Sequence, residues 1–113
     1  MKTKATVIVQ FEFEGFHFYE NAPQQVEFLK YPHRHTFVLK AGYQVIDLNR
    51  EKEIFICRDE LKDYLIEAYG SPCIFNGMSC EMIAKEILEF AAIDGMIWCE
   101  IWEESTGGAR VEL

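Results

Sequence analysis

Tyr31-Pro32-His33-Arg34-His35-Thr36-Phe37-Val38-Leu39-Lys40-Ala41-Gly42-Tyr43-Gln44-Val45 reads as a strand. Side chains of an extended chain alternate between two faces. His33, His35, Phe37, Leu39, Ala41, Tyr43 and Val45 therefore share one face. Arg34, Thr36, Lys40, Gly42 and Gln44 take the other, with Val38 among them. The apolar face ends in two imidazoles at i and i+2. The third and last histidine, His17, closes the run Thr6 to Phe18. There Val7, Val9, Phe11, Phe13, Gly15 and His17 share a face. Antiparallel pairing of the two runs brings all three histidines to one end of one apolar surface. Three neutral imidazoles with an open fourth position are the donor set of a catalytic-type zinc site. A His-x-His pair alone is also what two half-buried histidines look like. The third histidine at matching parity favours Zn2+, with His17, His33 and His35 as ligands.

The rest of the chain supplies the frame. Gln10, Glu12 and Glu14 oppose the apolar side of the first strand, which is thus half-exposed. Phe18 to Pro32 is a long connection, rich in apolar residues for a loop, that joins the two histidine-bearing strands and can cover the metal site. Gly42 is a candidate bulge in the second strand. Asp47 to Lys52 reads as a turn and Glu53 to Cys57 as a short third strand. Asp59 reads as the N-cap of a helix carrying Leu61, Tyr64, Leu65, Ala68 and Tyr69, stopped by Gly70. Ser71 to Met78 reads as a loop. Ser79 caps a second helix through about Ala92, with Ile83, Ile87, Phe90 and Ala91 as its stripe. Met96 to Glu104 and Ala109 to Leu113 are closing strands around a Gly107-Gly108 turn. The expected architecture is α+β, with both helices on one face of an antiparallel sheet. In the late strand, Ile97, Cys99, Ile101 and Glu103 share a face. Glu103 ends an apolar row where a carboxylate is costly unless paired; a strand-end glutamate turned to water fits the same pattern.

A chain of 113 residues is one domain, residues 1–113, with one core. Half of its residues are hydrophobic, nine of them Phe, which argues against disorder. No apolar run approaches a membrane span. Met1-Lys2-Thr3-Lys4 leads into alternating strand residues, without the apolar core of a signal peptide, so a cytoplasmic setting is expected. The net charge of -8 argues against a nucleic-acid partner, which needs clustered Lys and Arg. It also means that a polyphosphate substrate requires local positive charge or the metal. Cys57, Cys73, Cys80 and Cys99 form no Cys-x-x-Cys pair and are expected to be reduced and packed.

The ordered set of His17, His33-Arg34-His35, Ser79-Cys80-Glu81-Met82-Ile83-Ala84 and Ile101-Trp102-Glu103, in a β-β-α-α-β-β frame, resembles the 6-pyruvoyl-tetrahydropterin synthase family. That family includes the 6-carboxy-tetrahydropterin synthases of the queuosine pathway. The resemblance runs over nearly the whole chain. It implies the tunnelling fold, zinc held by three histidines, a ring-like homo-oligomer, typically a hexamer, and 7,8-dihydroneopterin triphosphate as substrate. By matching position His17, His33 and His35 would be the ligands. Glu103 would anchor the pterin ring, its carboxylate accepting from the ring N–H and amino groups. Ser79 falls where the family has a threonine at the mouth of the pterin pocket.

The sequence departs from the family in three places. Arg34 stands where the family usually has glycine between the histidines. No cysteine precedes that motif; Glu27 lies six residues before His33, a spacing some members use for the catalytic cysteine. One branch is similar in carrying glutamate there and releases 6-hydroxymethyl-dihydropterin. The family's Asp-His pair after the first helix is replaced by Glu67-Ala68-Tyr69-Gly70-Ser71-Pro72. The Cys-His-Asp relay is thus absent, and Glu27 is the available proton-abstracting base. Val26, Phe28 and Leu29 are expected to desolvate it and raise its pKa toward the working range, although a solvated loop glutamate fits the same residues. Two function classes follow: a zinc-dependent lyase acting on a dihydropterin triphosphate, its product unresolved, or a non-catalytic zinc-containing member that binds a pterin or purine.

Overall fold

The computed structural model describes Met1–Leu113. Two long strands dominate it: β1, Ala5–His17, and β2, His33–Val45. They pair antiparallel over their whole length, with Phe11 opposite Leu39, Phe13 opposite Phe37 and His17 opposite His33. Between them, short 3-10 turns cover Gln24–Lys30, kinked at Val26. Helix α1, Ile54–Tyr69, then leads to strand β3, Cys73–Asn76, and helix α2, Cys80–Ala91. Strands β4, Met96–Glu103, and β5, Gly107–Glu112, close the chain. The sheet order is β3-β1-β2-β4-β5. No helix is long and apolar enough to cross a membrane.

The core lies on one face of this sheet. Val9, Phe11, Phe37, Leu39, Ala41, Cys99 and Ile101 meet Cys57, Leu61 and Leu65 of α1 and Ile83, Ile87 and Ala91 of α2. Burial of these side chains drives the association, at about 25 cal/mol per Å² of apolar surface. The alternation seen in Phe37 to Tyr43 is the inner face itself; Phe37, Leu39 and Ala41 are wholly buried. The outer face is partly covered by cations on aromatic rings. Lys40 Nζ sits 4.9 Å from the Trp102 ring centroid, and the Arg110 guanidinium sits 4.1 Å from that of Trp98.

Two elements differ from the expectation. Glu53 to Cys57 is not a strand: α1 starts at Ile54, capped by Glu53, whose carboxylate accepts from Phe55 N at 2.7 and 2.9 Å. Ile54, Phe55 and Ile56 are exposed, so their strand-like composition reflects no buried strand. The helical signal is Cys57, Leu61 and Leu65, an i, i+4, i+8 stripe buried on the sheet.

Secondly, Cys73-Ile74-Phe75-Asn76 is a strand, parallel to β1 opposite Gly15 to His17, so the sheet is mixed rather than antiparallel. Cys73 and Phe75 are buried and Ile74 is exposed, an alternation too short to stand out beside Pro72 and Gly77. The bulge expected at Gly42 is present: the ladder between β2 and β4 slips between Gly42 and Tyr43. A Cβ at Gly42 would fall 2.2 Å from Trp98 Nε1, so only glycine lets the indole lie there. The slip leaves Ile97 half-exposed and brings Met96 into the core. Downstream of it, Cys99, Ile101 and Glu103 keep the parity of one face.

Candidate metal centre

The β1–β2 register sets His17 directly opposite His33 and Gly15 opposite His35. The three rings pack edge to face, with centroids 4.6 Å (His17–His33), 5.3 Å (His17–His35) and 4.9 Å (His33–His35) apart. The Phe37 ring supports His17 and His35 from beneath, at 5.3 and 5.5 Å. Gly15 leaves room for this packing: a Cβ there would meet the Phe75 and Phe37 rings at 3.0 and 3.1 Å.

Each imidazole is oriented through its Nδ1. His17 Nδ1–H donates to the Met78 carbonyl and His33 Nδ1–H to the Tyr31 carbonyl, both at 3.0 Å. His35 Nδ1–H donates to the Glu104 carboxylate, 3.1 and 3.0 Å from its two oxygens. All three partners only accept, so the proton is on Nδ1 in every ring and Nε2 carries a lone pair. One ligand atom from each of His17, His33, His35 and Glu103 falls within 4.8 Å of all the others.

Two observations test whether these residues fit a cation. His17 Nε2 and His35 Nε2 are buried without a hydrogen-bond partner. Glu103 Oε1 faces His17 Nε2 at 2.9 Å and Oε2 faces His35 Nε2 at 3.6 Å. Two lone-pair atoms at 2.9 Å attract only through a proton or a cation, and the His17 proton is already engaged on Nδ1. Burial chiefly holds the His17 pKa below its ordinary value, which the hydrogen bond to Met78 and the charge of Glu103 only partly oppose. Neutral imidazoles are the form that binds a metal. The donor set, three neutral imidazole nitrogens, suits zinc.

A cavity of about 560 Å³ opens onto this cluster, lined by His17, His33, Ser79, Cys80 and Glu103 among others. Ser79 Oγ accepts from Met82 N at 3.2 Å as the α2 N-cap, which leaves its hydroxyl proton for a ligand. No lysine or arginine lines the cavity, and its acids are Glu81 and Glu103. Arg34 points to the opposite sheet face and pairs with Glu14, which explains how the middle position of His-x-His accommodates a charge.

The expected desolvation of Glu27 is not what the structure has. Its side chain is 63% exposed and pairs with Lys30 at 3.5 Å. Phe28 is itself 71% exposed, and no residue of the 3-10 segment is buried. Only Leu29 of that segment reaches the cavity wall. Two further residues beside the site are given no role by the sequence reading. Cys80, the first residue of α2, donates from Sγ to Glu103 Oε1 at 3.7 Å. Burial, then the Glu103 charge, push its thiol up to about 12, so at neutral pH it is a donor and not a thiolate nucleophile. Its position directly after the Ser79 cap is the clue that it faces the cavity. Glu104 is the second: desolvation is the largest single influence and raises its pKa, but the hydrogen bonds from Thr36 N and His35 and the attraction of His35 together hold its carboxyl below the usual range.

No protein-family model matches the chain, and no curated protein matches it. Solved structures do. The uncharacterized protein WS1659 from Wolinella succinogenes is similar with a TM-score of 0.77 and 12% identity, over 98% of this chain and 99% of that one. The 6-pyruvoyl tetrahydropterin synthase of Plasmodium falciparum is similar with a TM-score of 0.63 and 17% identity, over 99% of both chains. At these identities the likeness concerns the fold, and that fold is the tunnelling fold of the 6-pyruvoyl tetrahydropterin synthase.

Proposed function

We propose that the chain is a zinc-dependent, tetrahydropterin synthase-like lyase acting on 7,8-dihydroneopterin triphosphate. The observation that carries this reading is the convergence of three Nδ1-anchored imidazoles with Glu103, beside a cavity that His17, His33 and Glu103 line, on the fold of a pterin synthase. His17, His33 and His35 would hold the zinc, whose role when bound is to polarise a substrate side-chain oxygen and acidify the adjacent C–H. Glu103 accepts from the pterin ring N–H and amino group, as a carboxylate matches that donor pair. Ser79 offers its hydroxyl at the cavity mouth. Cys80 keeps Glu103 aimed by donating to Oε1. Glu27 is the base in this reading, acting from the 3-10 segment whose Leu29 borders the cavity. The cavity lining has no basic side chain for a triphosphate, so that charge is met by the metal or by a neighbouring copy.

We also propose a closed homo-oligomer, such as a hexamer, in a cytoplasmic setting. β3 covers only Gly15 to His17 of β1, so the outer edge of β1 from Ala5 to Glu14 has no strand beside it, and neither has the outer edge of β5. Such edges invite pairing, and closed symmetry satisfies them. Sedimentation at micromolar concentration should give a multiple of the 13.2 kDa chain mass; a monomer contradicts the proposal.

A second reading is favoured by the missing relay and the exposure of Glu27: a non-catalytic protein that holds zinc and binds a pterin or purine. Incubation of the zinc-loaded protein with 7,8-dihydroneopterin triphosphate, with products identified by mass spectrometry, separates the two. Formation of a 6-pyruvoyl-, 6-carboxy- or 6-hydroxymethyl-pterin supports the lyase. Binding without conversion supports the second reading.

A further inference from the structure

Glu104 stands directly after Glu103, yet both carboxylates reach the histidine cluster, which simple strand alternation forbids. The backbone explains how. Glu104 has φ +50, in the left-handed region that residues with a Cβ rarely enter. This turns the chain at the end of β4 so that Glu103 faces the Nε2 atoms of His17 and His35, while Glu104 comes behind His35 to its Nδ1. The turn is clasped in both directions: Glu104 N donates to the Thr36 carbonyl at 3.0 Å, and Thr36 N donates to Glu104 Oε1 at 2.8 Å.

We infer that Glu104 is a positioning residue that orients His35 and strengthens it as a metal ligand. The inference rests on the metal reading above. The other two imidazoles are anchored by backbone carbonyls, Met78 and Tyr31. Only His35 is anchored by a side chain, and that side chain is anionic. A carboxylate on Nδ1–H fixes the ring and raises the basicity of Nε2. It also adds negative charge beside three neutral ligands. The backbone and the side chain argue in opposite directions here: at φ +50 glycine is the easier residue, so the carboxylate, and not the turn, accounts for glutamate.

That opposition gives the test. Zinc affinity is measured by competition with a chromophoric chelator for wild type, Glu104→Gly and Glu104→Gln. The visible spectrum of each Co2+-loaded protein and the melting of each metal-free form are recorded alongside. Glu104→Gly should bind zinc about 10–100-fold more weakly, while its metal-free form melts near the wild-type temperature, because glycine relieves the left-handed turn. Glu104→Gln keeps an acceptor but no charge and should fall between, with shifted Co2+ bands. Wild-type affinity and an unshifted spectrum in both variants overturn the inference. If Glu104→Gly does not fold, Glu104→Gln decides alone by the same criterion. A wild type that binds no zinc at all instead removes the metal reading on which the inference rests.

Discussion

His35→Ala is expected to abolish zinc retention. The substitution removes one of three Nε2 donors and leaves Glu103 and Glu104 as neighbouring carboxylates without the ring between them. The two remaining imidazoles, His17 and His33, cannot make the three-histidine set that holds zinc with an open position. Metal binding to the folded state alone stabilises it by about 2.7 kcal/mol at a free concentration of 100 Kd. Added zinc should therefore raise the melting temperature of wild type and leave that of His35→Ala unchanged. Elemental analysis after dialysis should find no zinc in the variant. Full occupancy in His35→Ala would exclude the ring as a ligand.

If the chain is the lyase proposed above, Glu27→Gln is expected to lower turnover of the dihydropterin by about 10²–10⁴-fold. The amide keeps the shape of the side chain and removes its basicity. Glu27 is exposed and pairs only with Lys30, so stability should change by no more than about 0.5 kcal/mol. It contributes no ligand atom to the histidine cluster, so zinc content should stay constant. A loss of rate with metal and fold intact isolates the proton-transfer step. Undiminished turnover in Glu27→Gln removes this residue from the mechanism and moves the search for a base to the cavity wall.

The two histidine strands are legible from residue order because their burial is one-sided. Val9, Phe11, Phe37, Leu39 and Ala41 alternate with neighbours that are mostly polar, such as Gln10, Glu12, Thr36 and Lys40, so parity puts His17, His33 and His35 together. Ser79 is legible for a local reason, since a serine before an apolar stripe satisfies the first amides of a helix. What escapes is set by tertiary partners. Glu53 is a less usual cap than Asp59, and the exposed Ile54-Phe55-Ile56 looks like a strand until Cys57 is counted into the helical stripe. The four residues of β3 exist because Phe75 packs on Phe37 and Phe13 and the edge of β1 lies open beside them. Glu104 escapes because its reach to His35 depends on one left-handed residue, which no alternation pattern encodes. Apolar neighbours of Glu27 in sequence do not desolvate it: Phe28 is turned outward, and the Glu27 side chain itself is 63% exposed.

The most direct measurement is the zinc stoichiometry of the wild-type protein. Metal-free protein is titrated with zinc against a chromophoric chelator and the bound metal counted per chain. The convergence of three Nδ1-protonated imidazoles predicts one zinc per chain, released on replacing His17, His33 and His35 together by alanine. No bound zinc in wild type, or one zinc retained by the triple variant, contradicts it.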